Sequence, residues 1–317
     1  MKKCAGRGDC LQYAGRCPLF RADWAGSCQP LVPLAPLTTF RVGGPAAVLA
    51  RPASLAGLRQ LLGLLQVYGC PWRALGRGSN LLVADRGYAG VVILLDRQLE
   101  GIARSGDYRV RVEAGCSLAR LLGWSLRHGL GGLEFLVGIP GSVGGALLLN
   151  AGTGDGSLGQ RVVAVELVAA AGIRQVPAAA LDFGYRQLAG VAPGEVVGAT
   201  ILELEPAAGS VSRQRLRQYM AGRRRAQPRK VASAGSFFKN PPGAYAGRLI
   251  EEAGLKGTSV GGAQVAVAHA NFLVNRGGAT AAEVRQLMAL VQEKVWRENN
   301  IWLQPEVHML GFDEEAD

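Results

Sequence analysis

Three short segments of this chain place a polar side chain among apolar residues and glycines, a setting suited to chemistry. Their polar groups are the guanidinium of Arg186, the hydroxyl of Ser236 and the carboxyl of Glu306. The segments are Phe183–Arg186, Ser233–Pro241 and Leu303–Val307. Such surroundings shift pKa values and hold a proton donor in a fixed position. Taken singly, each group also fits a structural role, as a surface arginine, a turn serine and a strand-edge carboxylate.

Two glycine-rich loops precede these segments. Fifteen uncharged residues from Gly138 to Gly152 include five glycines and one proline. Backbone of this kind can reach positive φ, lie flat against a large ligand and turn N–H groups toward phosphate oxygens. The second loop, Gly76–Asn80, lies between the mostly apolar segments Trp72–Leu75 and Leu81–Val83. Two such loops suggest a dinucleotide bound along its length, and a tightly packed buried turn is the structural alternative.

Charge and hydropathy narrow the class of partner. The 317-residue chain has a formal net charge of +11, from 35 Lys and Arg against 24 Asp and Glu, and such a surface attracts anions. The dense basic run Arg223–Arg225, followed by Arg229 and Lys230, contains no interleaved aromatic residues, which disfavours stacking on single-stranded nucleic acid. There is no run of 18 apolar residues and no signal peptide. We therefore expect a cytoplasmic monomer without nucleic-acid or membrane partners.

Cysteine and histidine spacings indicate no catalytic metal. Four of the six cysteines crowd the front of the chain, and they are Cys4, Cys10, Cys17 and Cys28. Their gaps fit no CxxC signature, so we expect reduced thiols in a poorly ordered extension, with a four-cysteine zinc or iron–sulfur site as the alternative. Cys70 and Cys116 are expected to be small buried apolar residues. His128, His269 and His308 show neither HxxxH nor HExxH spacing.

Helix and strand signals interleave, which predicts a mixed α+β protein. Ser54 begins a leucine-rich helix that ends near Gly69, Ser117 begins a second that ends at Gly129, and Thr280 with Glu283 forms the capping box of a long third helix. The predicted strands are Trp72–Leu75, Val91–Leu95, Tyr108–Glu113, Val162–Ala169, Val196–Leu204 and Val307–Phe312. From about residue 207, helices are expected to dominate.

Eight segments follow one another in an order that matches a known family. They are Thr39–Gly44, Gly76–Leu82, Gly138–Gly152, Phe183–Arg186, Ser233–Pro241, Gly247–Gly257, His269–Asn275 and Pro305–Val307. Over roughly residues 31–311, the chain resembles the UDP-N-acetylenolpyruvoylglucosamine reductases, flavoenzymes of bacterial cell-wall precursor synthesis. The short distance along the chain between Arg186 and Ser236 resembles the shorter subtype, which lacks a tyrosine-bearing loop.

The resemblance implies an α+β architecture. A two-subdomain FAD-binding fold of the vanillyl-alcohol-oxidase (PCMH) type would be followed by an α+β substrate-binding domain. The implied boundaries are an N-terminal extension at 1–30, FAD-binding subdomains at 31–97 and 98–206, and a substrate-binding domain at 207–317.

The resemblance also implies the chemistry. NADPH would reduce FAD, and a hydride would pass on to the enolpyruvyl ether of UDP-N-acetylglucosamine to give UDP-N-acetylmuramate. Ser236 would supply the proton, while Arg186 and Glu306 would stabilise the enolate. The implied cofactor-binding residues are Arg41, Gly76, Arg77, Gly78, Ser79, Asn80, Leu81, Gly138, Ile139, Pro140, Gly141, Ser142, Gly144, Gly145, Asn150, Ala151 and Gly152. The implied substrate-binding residues are Tyr185, Arg224, Gln227, Lys239, Asn240 and His269.

Two departures and two rival functions accompany this interpretation. Thr38 stands where the family usually has asparagine, which predicts a mild loss of a cap, and Thr153–Asp155 replaces the usual Ala-Tyr pair near the cofactor. One rival is another flavin oxidoreductase of the same fold, such as an oxidase acting on a sugar or hydroxy acid. The other is a basic nucleotide- or nucleic-acid-binding protein without catalysis.

Overall fold

A computed structural model of the protein describes residues 14–154 and 156–312, which cluster into two compact units interleaved along the chain. Within the described residues, unit 1 comprises 14–30, 47–77 and 90–222, and unit 2 comprises 31–46, 78–89 and 223–312. Three sequence-based expectations lie outside the described residues, and they concern Cys4, Cys10 and Asp155. The linear boundaries expected at residues 30, 97 and 206 stay predictions.

Six α-helices occur in the described residues: α1 (Leu55–Tyr68), α2 (Leu118–Arg127), α3 (Val143–Leu148), α4 (Gly209–Ala226), α5 (Ala246–Glu252) and α6 (Ala281–Asn299). The expected caps are present. Ser54 Oγ accepts from the Gly57 N–H, Gly69 is left-handed, and Ser117 Oγ accepts from the Arg120 N–H. Thr280 and Glu283 form the capping box of α6. The three helices predicted from caps and leucine spacing are therefore confirmed.

Nineteen strands accompany these helices in the described residues. Up to residue 113 they are β1 (Gly26–Pro33), β2 (Pro45–Pro52), β3 (Trp72–Leu75), β4 (Leu81–Val83), β5 (Tyr88–Leu94), β6 (Ile102–Arg104) and β7 (Arg109–Glu113). Next come β8 (Leu130–Gly131), β9 (Gly152–Thr153), β10 (Gly156–Ser157), β11 (Val162–Ala169), β12 (Gly172–Pro177), β13 (Val196–Glu203) and β14 (Glu205–Pro206). The last are β15 (Ala232–Ser233), β16 (Ser259–Val260), β17 (Ala263–Val265), β18 (Leu273–Asn275) and β19 (His308–Leu310).

The core of unit 1 lies under a five-stranded antiparallel sheet. Its strand order is β12-β11-β13-β7-β6, and α3 and α1 pack on its strands. A four-stranded sheet has the order β1-β2-β5-β3, in which β3 and β5 pair in parallel over Trp72–Leu75 and Val91–Leu94. Buried leucines of α1 and α2 join the valines of β7, β11 and β13 in one apolar cluster. This core fixes the loops that leave β3 and enter α3.

Unit 2 contains its own core and an antiparallel sheet that sequence periodicity missed. The sheet order is β15-β18-β17-β16, and β19 pairs in parallel with β4. The expectation that helices dominate after residue 207 is confirmed, because α4, α5 and α6 comprise 18, 7 and 19 residues, whereas the sheet of short strands was not predicted. Strands of two or three residues are too short to show an alternating pattern, so only their partners reveal them. Phe40, Phe237 and Phe238 are fully buried beside α6 residues in this core.

Residues 14–30 also differ from the expected poorly ordered extension. They form short 3₁₀ turns and the start of β1, and the Ala53 N–H donates to the Ala25 carbonyl at 2.9 Å. Leu19 is 2% exposed within the core cluster, and Trp24 packs against it. These two apolar side chains, which the cysteine spacing does not reveal, pack the segment onto the core of unit 1.

Candidate active site

The two glycine-rich loops meet in unit 1 at the end of β3. A Cβ on Gly76 would collide with Oγ of Ser142, the residue that precedes α3. Ser142 is 2% exposed, and its side chain occupies the space that a side chain at Gly76 would need. The first part of each loop therefore contributes to one surface of unit 1.

The glycines at the start of α3 serve different purposes. The N–H groups of Val143 and Gly144 donate to the carbonyls of Cys116 and Ala114 at 2.8 and 2.9 Å, so neither is available to a phosphate. A Cβ on Gly144 would lie 2.8 Å from that of Ala114, which explains this glycine by packing. A Cβ on Gly145 would meet only Ser142 Oγ, at 3.6 Å, and φ there is not positive.

Gly145 indicates whether the loop leaves room for a flat cofactor against its backbone. Alanine would suit this helical position better than glycine by up to about 1 kcal/mol, and no protein atom requires its absence. A glycine that intramolecular packing does not explain fits a ligand surface that lies close to the backbone. The uncharged Gly138–Gly145 loop of unit 1 thus suits FAD, although its first-turn N–H groups at 143 and 144 are already used.

The later part of the Gly76–Asn80 loop belongs to unit 2 and packs on residues 37–38. Gly78 has φ +57°, and a Cβ there would lie 2.9 Å from Thr38 Cα. The Thr39 N–H donates to the Gly78 carbonyl at 3.1 Å. Asn80 Nδ2 donates to the backbone carbonyl of Glu306 at 2.9 Å. Asn80 was expected to bind the cofactor, and in the structure its amide also positions a catalytic candidate.

Thr38 keeps the capping interaction that its departure from the family pattern was expected to weaken. Its Oγ1 accepts from the Arg41 N–H at 3.1 Å and donates to the Ala35 carbonyl at 3.1 Å. The hydroxyl therefore does the work expected of the asparagine oxygen, and the predicted loss of a cap is wrong. Arg41 itself has φ +57° and an exposed side chain.

Arg186 lies in unit 1 on a short closed loop. Asp182 and Ala189 exchange two backbone hydrogen bonds, of 3.2 and 2.8 Å, which close residues 182–189. Arg186 has φ +57°, and its guanidinium carbon lies 5.2 Å from the ring centroid of Tyr185. The amide of Asn150 donates to two carbonyls of this loop. Arg186 stays a catalytic candidate, and Asn150 is a hydrogen-bond donor to its loop.

Ser236 and Glu306 lie on neighbouring segments of unit 2. The Glu306 N–H donates to the Phe237 carbonyl at 2.8 Å, and the Lys239 N–H donates to the Gln304 carbonyl at 2.8 Å. Phe238 and Pro305 form an antiparallel bridge between the same segments. The structure therefore brings together two of the three catalytic candidates, which lie far apart along the chain. Both residues are half-buried.

Asn271 anchors the serine-bearing segment from the other side. Its Oδ1 accepts from the Phe238 N–H at 2.9 Å, and its Nδ2 donates to the Phe238 carbonyl at 2.8 Å. The Asn271 carbonyl accepts from the Phe237 N–H at 2.7 Å. Thr39 adds a bond of 2.7 Å from its hydroxyl to the Ser233 carbonyl.

Sequence reasoning placed Asn271 and Thr39 inside matching segments but assigned no role to either. The available signal was a polar residue flanked by apolar ones, as in Ala270-Asn-Phe272. Such a residue must find hydrogen-bond partners when it is buried. The identity of those partners depends on contacts distant in sequence.

The substrate candidates are distributed over both units. Tyr185 is 57% exposed in unit 1, and Lys239, Asn240 and Arg224 are exposed in unit 2. Asn240 Oδ1 accepts from the Ala246 N–H at 3.0 Å, which leaves its NH₂ group for a ligand. Gln227 is half-buried, and its backbone N–H donates to the Arg223 carbonyl. These residues stay predictions as ligand contacts.

His269, a substrate-binding candidate, has an uncharged imidazole near pH 7. Burial lowers its pKa below 6.5, and the positive charge of Lys256 lowers it further. Nδ1 of His269 accepts from the Asn271 N–H at 3.2 Å. Because Nδ1 accepts this bond, the neutral ring offers an N–H donor at Nε2 rather than a cation.

The described cysteines are thiols with contrasting chemistry. A hydrogen bond with Cys70 lowers the pKa of Cys17 to about 7, while burial raises the pKa of Cys28 to about 12. Cys70 and Cys116 are 6% and 0% exposed, which confirms them as buried residues. Within residues 14–154 and 156–312, no group of three His, Cys, Asp or Glu side chains could bind a metal ion. No helix in the described part of the chain is long and apolar enough to cross a membrane.

Comparisons with known proteins match two separate parts of the chain to two different families. A family described as an FAD binding domain matches residues 46–176. A family described as the C-terminal domain of UDP-N-acetylenolpyruvoylglucosamine reductase matches residues 227–310. Fold and glycine loops together therefore define an FAD-dependent oxidoreductase with a separate C-terminal domain.

Full-length relatives specify the family. A UDP-N-acetylenolpyruvoylglucosamine reductase of Anaeromyxobacter dehalogenans (strain 2CP-C) is 46% identical over 279 residues, 88% of this chain and 84% of the relative. The enzyme of that name from Heliobacterium modesticaldum is 42% identical over 291 residues, 91% and 92% of the two chains. The crystal structure of the Thermus caldophilus reductase covers 91% of this chain and all of its own, with a TM-score of 0.78 and 36% identity. The chain belongs to the UDP-N-acetylenolpyruvoylglucosamine reductase family.

Proposed function

We propose that the protein reduces the enolpyruvyl ether of UDP-N-acetylglucosamine to UDP-N-acetylmuramate, with NADPH as the hydride source and FAD as the carrier. Family membership supports a flavin-dependent reductase of peptidoglycan precursor synthesis that acts on a UDP-sugar with a nicotinamide cofactor. The identity of the acceptor and the residue roles are the finer parts of the proposal. Cytoplasmic location and a monomeric state also stay predictions.

The observation that supports the residue roles most directly is the hydrogen-bonded pairing of the Ser236 and Glu306 segments. It sets a hydroxyl and a carboxyl on adjacent backbones of unit 2. Such a pair can serve one small reacting group, because the backbone bonds limit how far either side chain can drift.

FAD, when bound, supplies the hydride that adds to the terminal enolpyruvyl carbon. The double bond's electron pair then forms an enolate with the neighbouring carboxylate. Arg186 would meet that carboxylate through two parallel N–H bonds, and a protonated Glu306 would donate a further hydrogen bond to the developing charge. Ser236 would donate its proton to the ether-bearing carbon and recover one from solvent. One hydride and one proton thus saturate the double bond.

A serine hydroxyl is a weak acid, so it can donate its proton only to a strong base held beside it. An enolate is a strong base, and a donor fixed beside it needs no low pKa. The position of Ser236, between Gly235 at φ +83° and the buried Phe237, fixes the backbone from which the hydroxyl extends. Removing the hydroxyl should therefore affect proton delivery and nothing earlier.

The test separates the two half-reactions by stopped-flow absorbance of the bound flavin. Ser236→Ala should react with NADPH at the wild-type rate and should then transfer its reducing equivalents to the UDP-sugar about 10²–10⁴-fold more slowly. Ser259→Ala, a change at an exposed position of β16 in unit 2, serves as the matched control and should alter neither phase. Equal slowing of both phases in Ser236→Ala would show that the assigned role is wrong.

Two observations would favour the rival functions. An oxidase of the same fold would consume oxygen with its own substrate and would need no NADPH. A nucleotide- or nucleic-acid-binding protein would be colourless after gentle purification, because it would contain no flavin.

A further inference from the structure

We propose that Asn150 is a positioning residue whose side chain fixes the loop 182–189 and thereby aims Arg186, rather than a side-chain ligand of FAD. The proposal rests on the function proposed above, since the aim of Arg186 matters only if Arg186 meets the substrate carboxylate. All the contacts that support it lie within unit 1.

The amide of Asn150 is fully engaged as a donor. Its Nδ2 donates to the carbonyls of Phe183 and Gly184 at 3.2 and 3.0 Å, and its Oδ1 accepts from the Gly159 N–H at 2.9 Å. An asparagine amide has two N–H donors, and both are used here. The three partners also fix which amide atom is oxygen, because two carbonyls require NH₂ and an N–H requires oxygen. No side-chain donor of Asn150 remains for a flavin.

The backbone of Asn150 suits this task. Asn150 has φ +39° and lies two residues beyond the end of α3, where its side chain is 8% exposed. Asparagine tolerates the left-handed region better than most residues. The chain therefore turns at the end of α3 in a way that directs the amide to the loop at 183–184.

The loop also contacts unit 1 through Phe183 and Leu188, which pack against the core cluster. Asp182 and Ala189 close its base, and Phe183 packs against Gly159, where a Cβ would lie 2.6 Å from the ring. Beyond those contacts, residues 185–188 are exposed or half-buried. Arg186 at φ +57° adopts a conformation that arginine rarely adopts unless its surroundings enforce it. The two bonds from Asn150 hold the carbonyls three and two residues before Arg186, so they constrain the backbone that leads to it.

Positioning of this kind has a predictable cost when it is lost. Bidentate pairing of a guanidinium with a carboxylate depends on the plane of the guanidinium, and misplacement by about 1 Å can cost on the order of 10²-fold in rate. The effect should be confined to the step in which Arg186 acts.

The experiment removes the amide and retains the backbone conformation. Asn150→Gly, in the full-length flavoprotein, should keep its flavin absorbance and its rate of reaction with NADPH. Its reaction with the UDP-sugar should slow roughly 10–10²-fold. Hydrogen–deuterium exchange should accelerate in the peptide that contains residues 182–189, a readout independent of turnover.

A double-mutant cycle with Arg186→Ala links the two residues. If Asn150 acts through Arg186, Asn150→Gly should slow the Arg186→Ala enzyme by less than about twofold further. The same substitution in a Ser236→Ala background should multiply the two losses. Multiplicative losses with Arg186→Ala, or loss of flavin from Asn150→Gly, would overturn the proposal.

Gly159→Ala provides a second perturbation in case Asn150→Gly fails to fold. The added methyl would collide with the Phe183 side chain, displace the loop at the residue whose carbonyl accepts from Asn150, and should reproduce the selective slowing. Unchanged kinetics and exchange in this variant would also count against the proposal. A failure of the proposed function would look different, because Arg186→Ala by itself would then leave the reaction with the UDP-sugar intact.

Discussion

The loop that presents Arg186 and the paired segments that present Ser236 and Glu306 are fixed in different ways. Two carbonyls of the arginine loop receive hydrogen bonds from one side chain, that of Asn150. The serine and glutamate segments are bonded to each other through their backbones, and Asn271 bonds to both polar groups of Phe238. The arginine loop of unit 1 is therefore held by the side chain of one residue. The serine and glutamate segments of unit 2 are held by backbone hydrogen bonds together with Asn271.

This difference predicts which substitutions should reduce the reaction rate and which should reduce the stability of the fold. A loop fixed by a few bonds can lose its geometry at little cost to the folded state, so damage there should appear in kinetics. Buried backbone bonds belong to the core, so damage there should appear first in stability. We therefore expect variants of the arginine loop to lose activity and variants of the buried serine segment to lose stability.

The largest effect on stability is expected at Asn271. Asn271→Ala leaves the N–H and carbonyl of Phe238 without their partner beside a core in which Phe238 is 1% exposed. We expect a loss of about 2–4 kcal/mol, because two buried polar groups are left unsatisfied. Thermal denaturation followed by circular dichroism measures the change, with Asn299→Ala on α6 as a matched control expected to stay near wild type.

The same measurement on Asn150→Gly can contradict the comparison. Its loss should be about 1 kcal/mol, since the two carbonyls lie in a loop that solvent can reach. Equal losses of stability for Asn150→Gly and Asn271→Ala would show that both regions belong equally to a core.

A smaller and opposite effect on stability is expected at Gly145. Gly145→Ala should stabilise the flavin-free protein by about 0.5–1 kcal/mol through helix propensity, and should weaken FAD binding by roughly tenfold, about 1.4 kcal/mol. Fluorescence titration with FAD and thermal denaturation without it measure the two terms. Gly63→Ala in α1, where a Cβ meets nothing within 4 Å, is the matched control and should show the first effect alone. Unaltered FAD affinity in Gly145→Ala would remove the structural argument for a ligand at this loop.

The smallest effect concerns pH and lies in unit 2. Burial and Lys256 lower the pKa of His269 below 6.5, so the unfolded chain takes up a proton more readily than the folded chain. This contribution to stability is complete above pH 6.5 and declines as the pH falls from 6.5 through the lowered folded pKa. His269→Gln should therefore lose less thermal stability than wild type between pH 7.5 and 5.5. A steeper decline in the variant would reverse the sign assigned to His269. Burial lowers the pKa of His308 in the same direction, so part of the wild-type slope should survive in the variant.

Much of the site could be predicted from residue types and their order. Segments with glycine or apolar flanks identified Arg186, Ser236 and Glu306 as candidates, and the order of eight motifs indicated the family that comparison then established. Helix caps were equally predictable, because an N-cap hydroxyl oxygen and the backbone N–H that donates to it lie three residues apart. The roles of Asn80, Asn150 and Asn271 were not readable in this way. A loop asparagine serves equally well as ligand, cap or brace until its partners are known.

The amino-acid sequence by itself determined the features whose partners are close along the chain, which are the capped helices α1, α2 and α6 and the glycine loops, together with the types of the candidate catalytic residues. Tertiary structure alone decided the short strands β15 to β18 and the hydrogen bonds that orient the site, such as the one between Asn80 and Glu306, which are 226 residues apart. The physical reason is that a strand of two or three residues and a buried amide have no local preference strong enough to define them. Each becomes specific only when the folded chain supplies its donor or acceptor.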